Sequence, residues 1–129
     1  MQKDFENWCK RKQITHEENA NRFYRRCEVW WCLFGANVGF EMDGKGEKFL
    51  RPVLIIKGFS REVCLCVPLT RKIKENIFLH KVTLPDGIQR KAVLSQIRVI
   101  DTKRLVERIG SITESELLHI KQVLTQIIA

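Results

Sequence analysis

The sequence predicts a mainly β domain of the α+β type: a small barrel with a helical extension before it and a C-terminal helix after it. Three observations lead there. The 129 residues, 44% of them hydrophobic, suffice for one domain with one core. The middle of the chain is a series of short apolar runs punctuated by Gly, Pro and Asp, the pattern of small barrels. Apolar residues at helical spacing are confined to the two ends. A single domain over 1–129 is expected, with 1–27 as helical extension, 28–100 as barrel and 101–129 as C-terminal helices.

Residues 3–24 read as helix, with Phe5, Trp8 and Cys9, then Ala20, Phe23 and Tyr24, at helical spacing. Thr15 and Glu18 have the form of a capping box, which suggests a break near Gln13 to Thr15. Cys27 to Phe34 is aromatic and β-branched, a strand. The glycine-rich stretch from Gly35 to Phe49 is long for a structureless loop, and such loops are often functional. Arg51-Pro52-Val53-Leu54-Ile55-Ile56 is almost wholly apolar, as in a strand buried on both faces, with Pro52 confined to a strand start or edge. Further strands are expected at Glu62 to Leu69, at Ile77 to Leu84 and, with an interruption, at Ile88 to Ile100. Pro85-Asp86-Gly87 forms the turn between the second and third of these. Asp101 caps a short helix between Ile100 and Leu105, and Thr113 with Glu116 opens a helix whose Leu117, Ile120, Leu124 and Ile127 share a face.

The N-terminal residues Met1 to Lys12 lack the apolar segment of a signal peptide, and no apolar run is long enough to span a bilayer. A cytoplasmic protein with no membrane contact is expected. Five cysteines without CxxC spacing fit free thiols in a reducing compartment better than disulfides or a metal site. No metal or cofactor is expected. The net charge of +8 is uneven: residues 68–108 hold ten basic side chains against four acidic. Such a block suits a polyanion, and equally a basic soluble surface.

Gly39, Gly44 and Lys45 imitate a phosphate-binding loop, but Gly46 stands where the magnesium-binding hydroxyl belongs and no helix follows. His16, His80 and His119 lie in separate segments, and nothing in the sequence brings two of them together for acid–base work. Arg51 opens a buried strand at the end of the glycine loop, where a guanidinium would meet a phosphate with paired hydrogen bonds. Thr70 ends another strand, and its hydroxyl could hold a phosphate oxygen. Gln96 and Arg98 alternate on a strand against apolar Ile97 and Val99. Singly, each is as well explained as an ion-pair partner, a strand-end cap or a solvated strand residue.

Together they resemble a family. The segments 28–41, 51–56, 67–70 and above all Leu94-Ser95-Gln96-Ile97-Arg98-Val99-Ile100-Asp101-Thr102-Lys103-Arg104-Leu105 resemble, in order, blocks of the MazF/PemK toxins, over roughly residues 28–128. The resemblance implies an SH3-like barrel, a homodimer, a cognate antitoxin and metal-independent cleavage of single-stranded RNA. DNA would be met only through an antitoxin complex. It implies Arg51 and Thr70 as the catalytic pair and Gln96 as an RNA-binding residue beside Ser95, which stands where many relatives have a carboxylate. Lys45, Arg71 and Lys72 would also meet RNA, with Lys74, Arg90 and Lys91 adding attraction for the backbone. Two further departures are the extension 1–27 and the inserted Asp43-Gly44-Lys45-Gly46-Glu47-Lys48. The competing classes are a non-catalytic nucleic-acid-binding barrel and a gyrase-directed toxin of the same fold.

Overall fold

An antiparallel sheet organises the chain in a computed structural model that describes residues 2–72, 76 and 78–129. Its strands are β1 (Glu28–Leu33), β2 (Leu50–Gly58), β3 (Val63–Thr70), β4 (Leu79–Thr83), β5 (Gln89–Val93), β6 (Arg98–Asp101) and β7 (Leu105–Ser111), flanked by helices α1 (Phe5–Glu18) and α2 (Glu114–Ile128). The order β4-β5-β3-β2-β1-β7 leaves the path open at both ends. β3 is the hub. One edge pairs with β2, while the other pairs with β6 over Val63 to Cys66 and with β5 at Leu69 and Thr70. The mainly β, barrel-like expectation therefore holds, as a sheet shared around β3 that no strand pairing among the described residues closes. Among the described residues no helix is long and apolar enough to cross a membrane.

The apolar run of β2 is buried on both faces. Leu54 and Ile56 join a core with Val29, Val67, Leu69 and the inner face of α2, while Val53 and Ile55 join a second with Trp30, Phe34, Cys64, Cys66 and Ile100. Pro52 sits near the strand start, and the β2–β3 ladder begins only at Val53 opposite Pro68, so no amide of Pro52 is needed there. α2 is capped as expected: the Thr113 side chain accepts from the Glu116 amide at 3.1 Å, and Leu117, Ile120 and Leu124 are buried. At the β4–β5 turn Gly87 has φ +73° and the Asp86 carboxylate takes the Ile88 amide at 3.0 Å. The expected start of that hairpin at Ile77 lies outside the described residues.

Four expectations change. α1 is one unbroken helix that stops at Glu18. Thr15 does not cap a second piece; it is buried, and its hydroxyl donates to the Arg11 carbonyl one turn back at 2.9 Å. Asn19 has extended backbone and residues 20–27 belong to no helix, so the helical spacing of Phe23 is a coincidence: its ring is 81% exposed. The interruption expected within Ile88 to Ile100 falls between β5 and β6, but the alternation expected of Gln96, Ile97, Arg98 and Val99 is not kept. Leu94–Gln96 is a turn of 3-10 helix, so the parity shifts and it is Val99 that faces out while Ile100 is buried. The region after residue 100 is not all helical. A 3-10 turn capped by Asp101 leads into β7, which pairs with β1 through two register irregularities and buries fully only Leu105. An edge strand so irregular and so polar carries no alternation to read. His80 and His119, expected apart, meet with ring centroids 5.1 Å apart, where burial and the His119 charge together lower the His80 pKa.

The cysteines are free, as expected, and all but Cys9 are buried. Burial pushes the thiols of Cys32 and Cys64 up to about 12 and raises those of Cys27 and Cys66. Since the thiolate is the reactive form, Cys9 alone should react quickly with an aromatic disulfide reagent in the native protein, and the other four only in denaturant. Rapid loss of a second native thiol would contradict this packing.

Candidate functional site

Antiparallel pairing of β2 and β3 sets the start of one strand beside the end of the other, and so brings Arg51 to Thr70. The Arg51 guanidinium donates from Nη1 to the Leu69 carbonyl at 3.1 Å, tying it to the residue before Thr70, and from Nε to the carbonyl of Asp43 in the glycine loop. Its Nη2 has no hydrogen-bond partner among the described residues. Burial draws the Arg51 pKa down from its usual value and Asp43 opposes this; arginine stays charged throughout the accessible range. Thr70 is buried, with its hydroxyl accepting the Lys72 amide at 3.2 Å.

Two clefts of about 500 Å³ each meet at this pair. The first is walled by Trp31, Pro52, Ile88 and Arg90, with Arg71 at its rim. The second runs under the loop, past Phe40, Met42 and Asp43, with Lys72 at its rim. Arg51, Thr70 and Lys45 line both. The structure thus gathers five of the sequence-predicted residues, Arg51, Thr70, Lys45, Arg71 and Lys72, at one junction.

The remaining candidates fall elsewhere. Gln96, carried on the 3-10 turn, lines neither cleft; its Oε1 accepts from the Met42 amide at 3.3 Å and its Nε2 donates to the Phe40 carbonyl at 3.5 Å. It holds the loop that roofs the second cleft. Ser95 is exposed beside it. Arg90, expected as a free cation, is 4% exposed and held by both carboxylate oxygens of Asp86 at 2.8 and 3.0 Å. That pairing, with the nearby Arg71 charge adding less, keeps the Asp86 carboxyl below its usual range. Lys91 has partners of its own, and Lys74 lies outside the described residues. Neither His80 nor His119 lines the two clefts. Among the described residues no three His, Cys, Asp or Glu side chains gather as a ligand set for a metal.

The sequence reading missed how the loop is fixed. Lys3 Nζ, from the segment before α1, donates to the carbonyls of Asn37 at 2.6 Å and Gly39 at 2.8 Å and pairs with the Asp43 carboxylate at 3.0 Å. Asp43 also accepts the Asn37 amide. Arg104, half-buried, donates to the Leu33 carbonyl at 3.1 Å at the other end of the loop. Its guanidinium stacks over Trp8, 5.6 Å from the ring centre. Lys3 and Gln96 therefore clamp the loop from two sides, and the loop in turn presents Asp43 to Arg51. No pattern in the sequence links residues 40 positions apart in this way. Trp31 had a visible signal: in a strand, Trp30 and Trp31 must face opposite ways, and with Trp30 buried Trp31 turns toward the cleft.

A family model described as PemK-like, MazF-like toxin of type II toxin-antitoxin system matches residues 25–128. Among solved structures, MazF from Deinococcus radiodurans superposes with a TM-score of 0.66 at 17% identity, covering 83% of this chain and 97% of its own. An endoribonuclease from Mycobacterial species in complex with its cognate antitoxin gives 0.61 at 17%, covering 82% and 95%. A MazE–MazF complex from Deinococcus radiodurans gives 0.58 at 19%, covering 83% and 97%. At these identities the likeness is one of fold. No curated protein matches the chain in sequence. The family match covers the whole sheet and α2, and leaves out only the clamp-bearing N-terminal segment and the last residue: this chain belongs to the PemK-like, MazF-like toxins of type II toxin–antitoxin systems.

Proposed function

We propose that the protein is the toxin of a type II toxin–antitoxin pair and acts as a metal-independent endoribonuclease on single-stranded RNA in the cytoplasm. The observation that carries this reading is the junction of the two clefts, where a half-buried arginine with a free Nη2 stands beside a strand-end threonine under three more cations. A scissile phosphate at the junction, with its two flanking nucleotides in the two clefts, would meet Arg51 and Thr70 together. The ribose 2′-hydroxyl attacks the adjacent phosphorus, the bond to the 5′-oxygen breaks, and a 2′,3′-cyclic phosphate and a 5′-hydroxyl result. The substrate supplies its own nucleophile, so DNA is refused for lack of the hydroxyl. Arg51 stabilises the charge that builds on the phosphoryl oxygens, in a pocket where such preorganised donors act most strongly. Thr70 orients the phosphate. Lys45, Arg71 and Lys72 attract the backbone, Trp31 and the 93% exposed ring of Phe40 offer faces for bases, and Gln96 with Ser95 supports the loop that carries Phe40.

Solved complexes of similar fold hold an antitoxin, which supports a protein partner here as well, and a homodimer is the assembly we infer for the toxin itself. The test is incubation with a long unstructured RNA in EDTA. Defined fragments ending in 2′,3′-cyclic phosphate are expected, and are expected to vanish when the product of an adjacent antitoxin-like reading frame is added. Intact RNA across several unrelated sequences would reject the ribonuclease and leave a binding module.

A further inference from the structure

At the far end of the β2–β3 hairpin the chain builds a second groove with a different construction. Residues 19–27 belong to no helix or strand, yet they are pinned to the barrel. Asn19 donates to the Lys103 carbonyl at 3.1 Å, and Asn21 to Asp101 at 3.0 Å and to Thr102 at 2.8 Å. The Tyr24 hydroxyl reaches the carbonyls of Ser60 and Val63 in the hairpin turn. Every one of these anchors is a polar side chain turned inward. Arg22 and Phe23 between Asn21 and Tyr24, and Arg25 after it, line with Phe59 and Arg61 of the turn a groove of about 460 Å³.

Nothing in folding requires that choice. Phe23 is 81% and Phe59 55% exposed, rings that bury little apolar area in the folded chain. The Arg61 guanidinium lies over the Phe23 ring, 4.9 Å from the ring centre, so the charge is held beside the ring in a cation–π contact. Of the groove's arginines only Arg26 has a carboxylate partner among the described residues, Glu114 at 3.2 Å. Flat rings beside unpaired guanidinium groups on a rigid backbone match alternating bases and phosphates, the construction of single-strand binding surfaces.

We infer that this groove is a second binding site for single-stranded RNA, remote from the cleaving junction; the choice of RNA rests on the function proposed above. β2 separates the two sites: seven residues from Arg51 to Gly58 at roughly 3.3 Å each put them roughly 23 Å apart. A transcript held in the groove would present its neighbouring stretch to the clefts, so the groove selects for length, and short oligomers gain nothing from it.

The test uses the full chain and an uncleavable probe, a fluorescent 20-nucleotide RNA carrying 2′-O-methyl groups, read by anisotropy across a salt series. In a triple variant, Arg22→Gln, Arg25→Gln and Arg61→Gln, the dissociation constant should rise at least tenfold. The slope of log affinity against log salt should shrink by roughly two, as expected for about three lost phosphate contacts on a single strand. Phe23→Ala, which keeps every charge, should weaken binding about tenfold at all salt concentrations. On cleavable RNA both variants should raise KM for long substrates and leave kcat within twofold. Affinity within twofold of native in both variants overturns the proposal. So does a native protein that ignores the probe, or one whose groove, judged by the same variants, binds polyglutamate but not RNA, which would mark it as a protein-docking face. Groove-dependent binding without any cleavage would instead sustain the groove and reject the ribonuclease.

Discussion

Replacement of Arg51 by alanine is expected to lower the single-turnover rate of RNA cleavage by on the order of 10²–10³, the usual consequence of removing one preorganised donor from a charge-developing centre. The same change has a structural cost. Arg51 satisfies the Asp43 and Leu69 carbonyls, and leaving such groups without a partner destabilises by about 1–3 kcal/mol. Arg51→Lys separates the two effects. Lysine keeps the positive charge but loses the planar fork that could hold two carbonyls and still present Nη2 to a phosphate. It should recover much of the stability in urea denaturation and little of the rate. Binding of the uncleavable RNA should weaken far less than cleavage in both variants, because several other cations hold the backbone. A rate within tenfold of native for Arg51→Ala would remove Arg51 from the chemistry.

How much of this was legible in the sequence depends on the range of the interactions involved. The strand-end positions of Arg51 and Thr70 could be read from the apolar runs, their joint role was only implied by the family resemblance, and it is the antiparallel pairing that sets the start of β2 beside the end of β3. Lys45, Arg71 and Lys72 follow as near neighbours in the chain. Gln96 was singled out as an RNA contact, whereas its bonds to Phe40 and Met42 were not foreseen, since a one-turn 3-10 helix gives no period and its contacts are more than 50 residues away. β7 was hidden by its polar outer face and register irregularities. Arg90 read as a surface cation because nothing in composition shows that Asp86, four residues earlier across a turn, would take both of its nitrogens. The pairing of His80 with His119 depends on how α2 lies against β4, which hydrophobic spacing does not specify.

The N-terminal segment precedes the family match over residues 25–128, and its expected effect on the site is the second large one. Trp8 is 6% exposed and fills a small separate core with Leu33, Ala36 and Phe49. Gly35 makes room for it: with φ +89° it has the left-handed backbone that suits glycine, and a Cβ there would fall 2.2 Å from the Trp8 ring. Trp8→Ala removes a large buried side chain, a change that typically costs about 3–5 kcal/mol. Because this cluster is distinct from the two cores of the sheet, the cost should appear first as local opening of α1 with the barrel intact. Amide hydrogen exchange should therefore quicken over residues 5–18 and 36–44 and stay slow in β2 and β3. With α1 loose, Lys3 no longer holds Asp43, and Arg51 loses a fixed partner for Nε. Cleavage should fall about tenfold, since small misplacements of a catalytic group are costly. Gly35→Ala, which strikes the same contact from the other side, should reproduce both effects. Lys3→Met should reproduce the loss of rate with little change in α1 exchange, because it removes the clamp and leaves the Trp8 core. Fast exchange in α1 with cleavage unchanged would show that the extension only decorates the barrel; loss of rate in all three variants would make residues 3–18 part of what holds Arg51 in place.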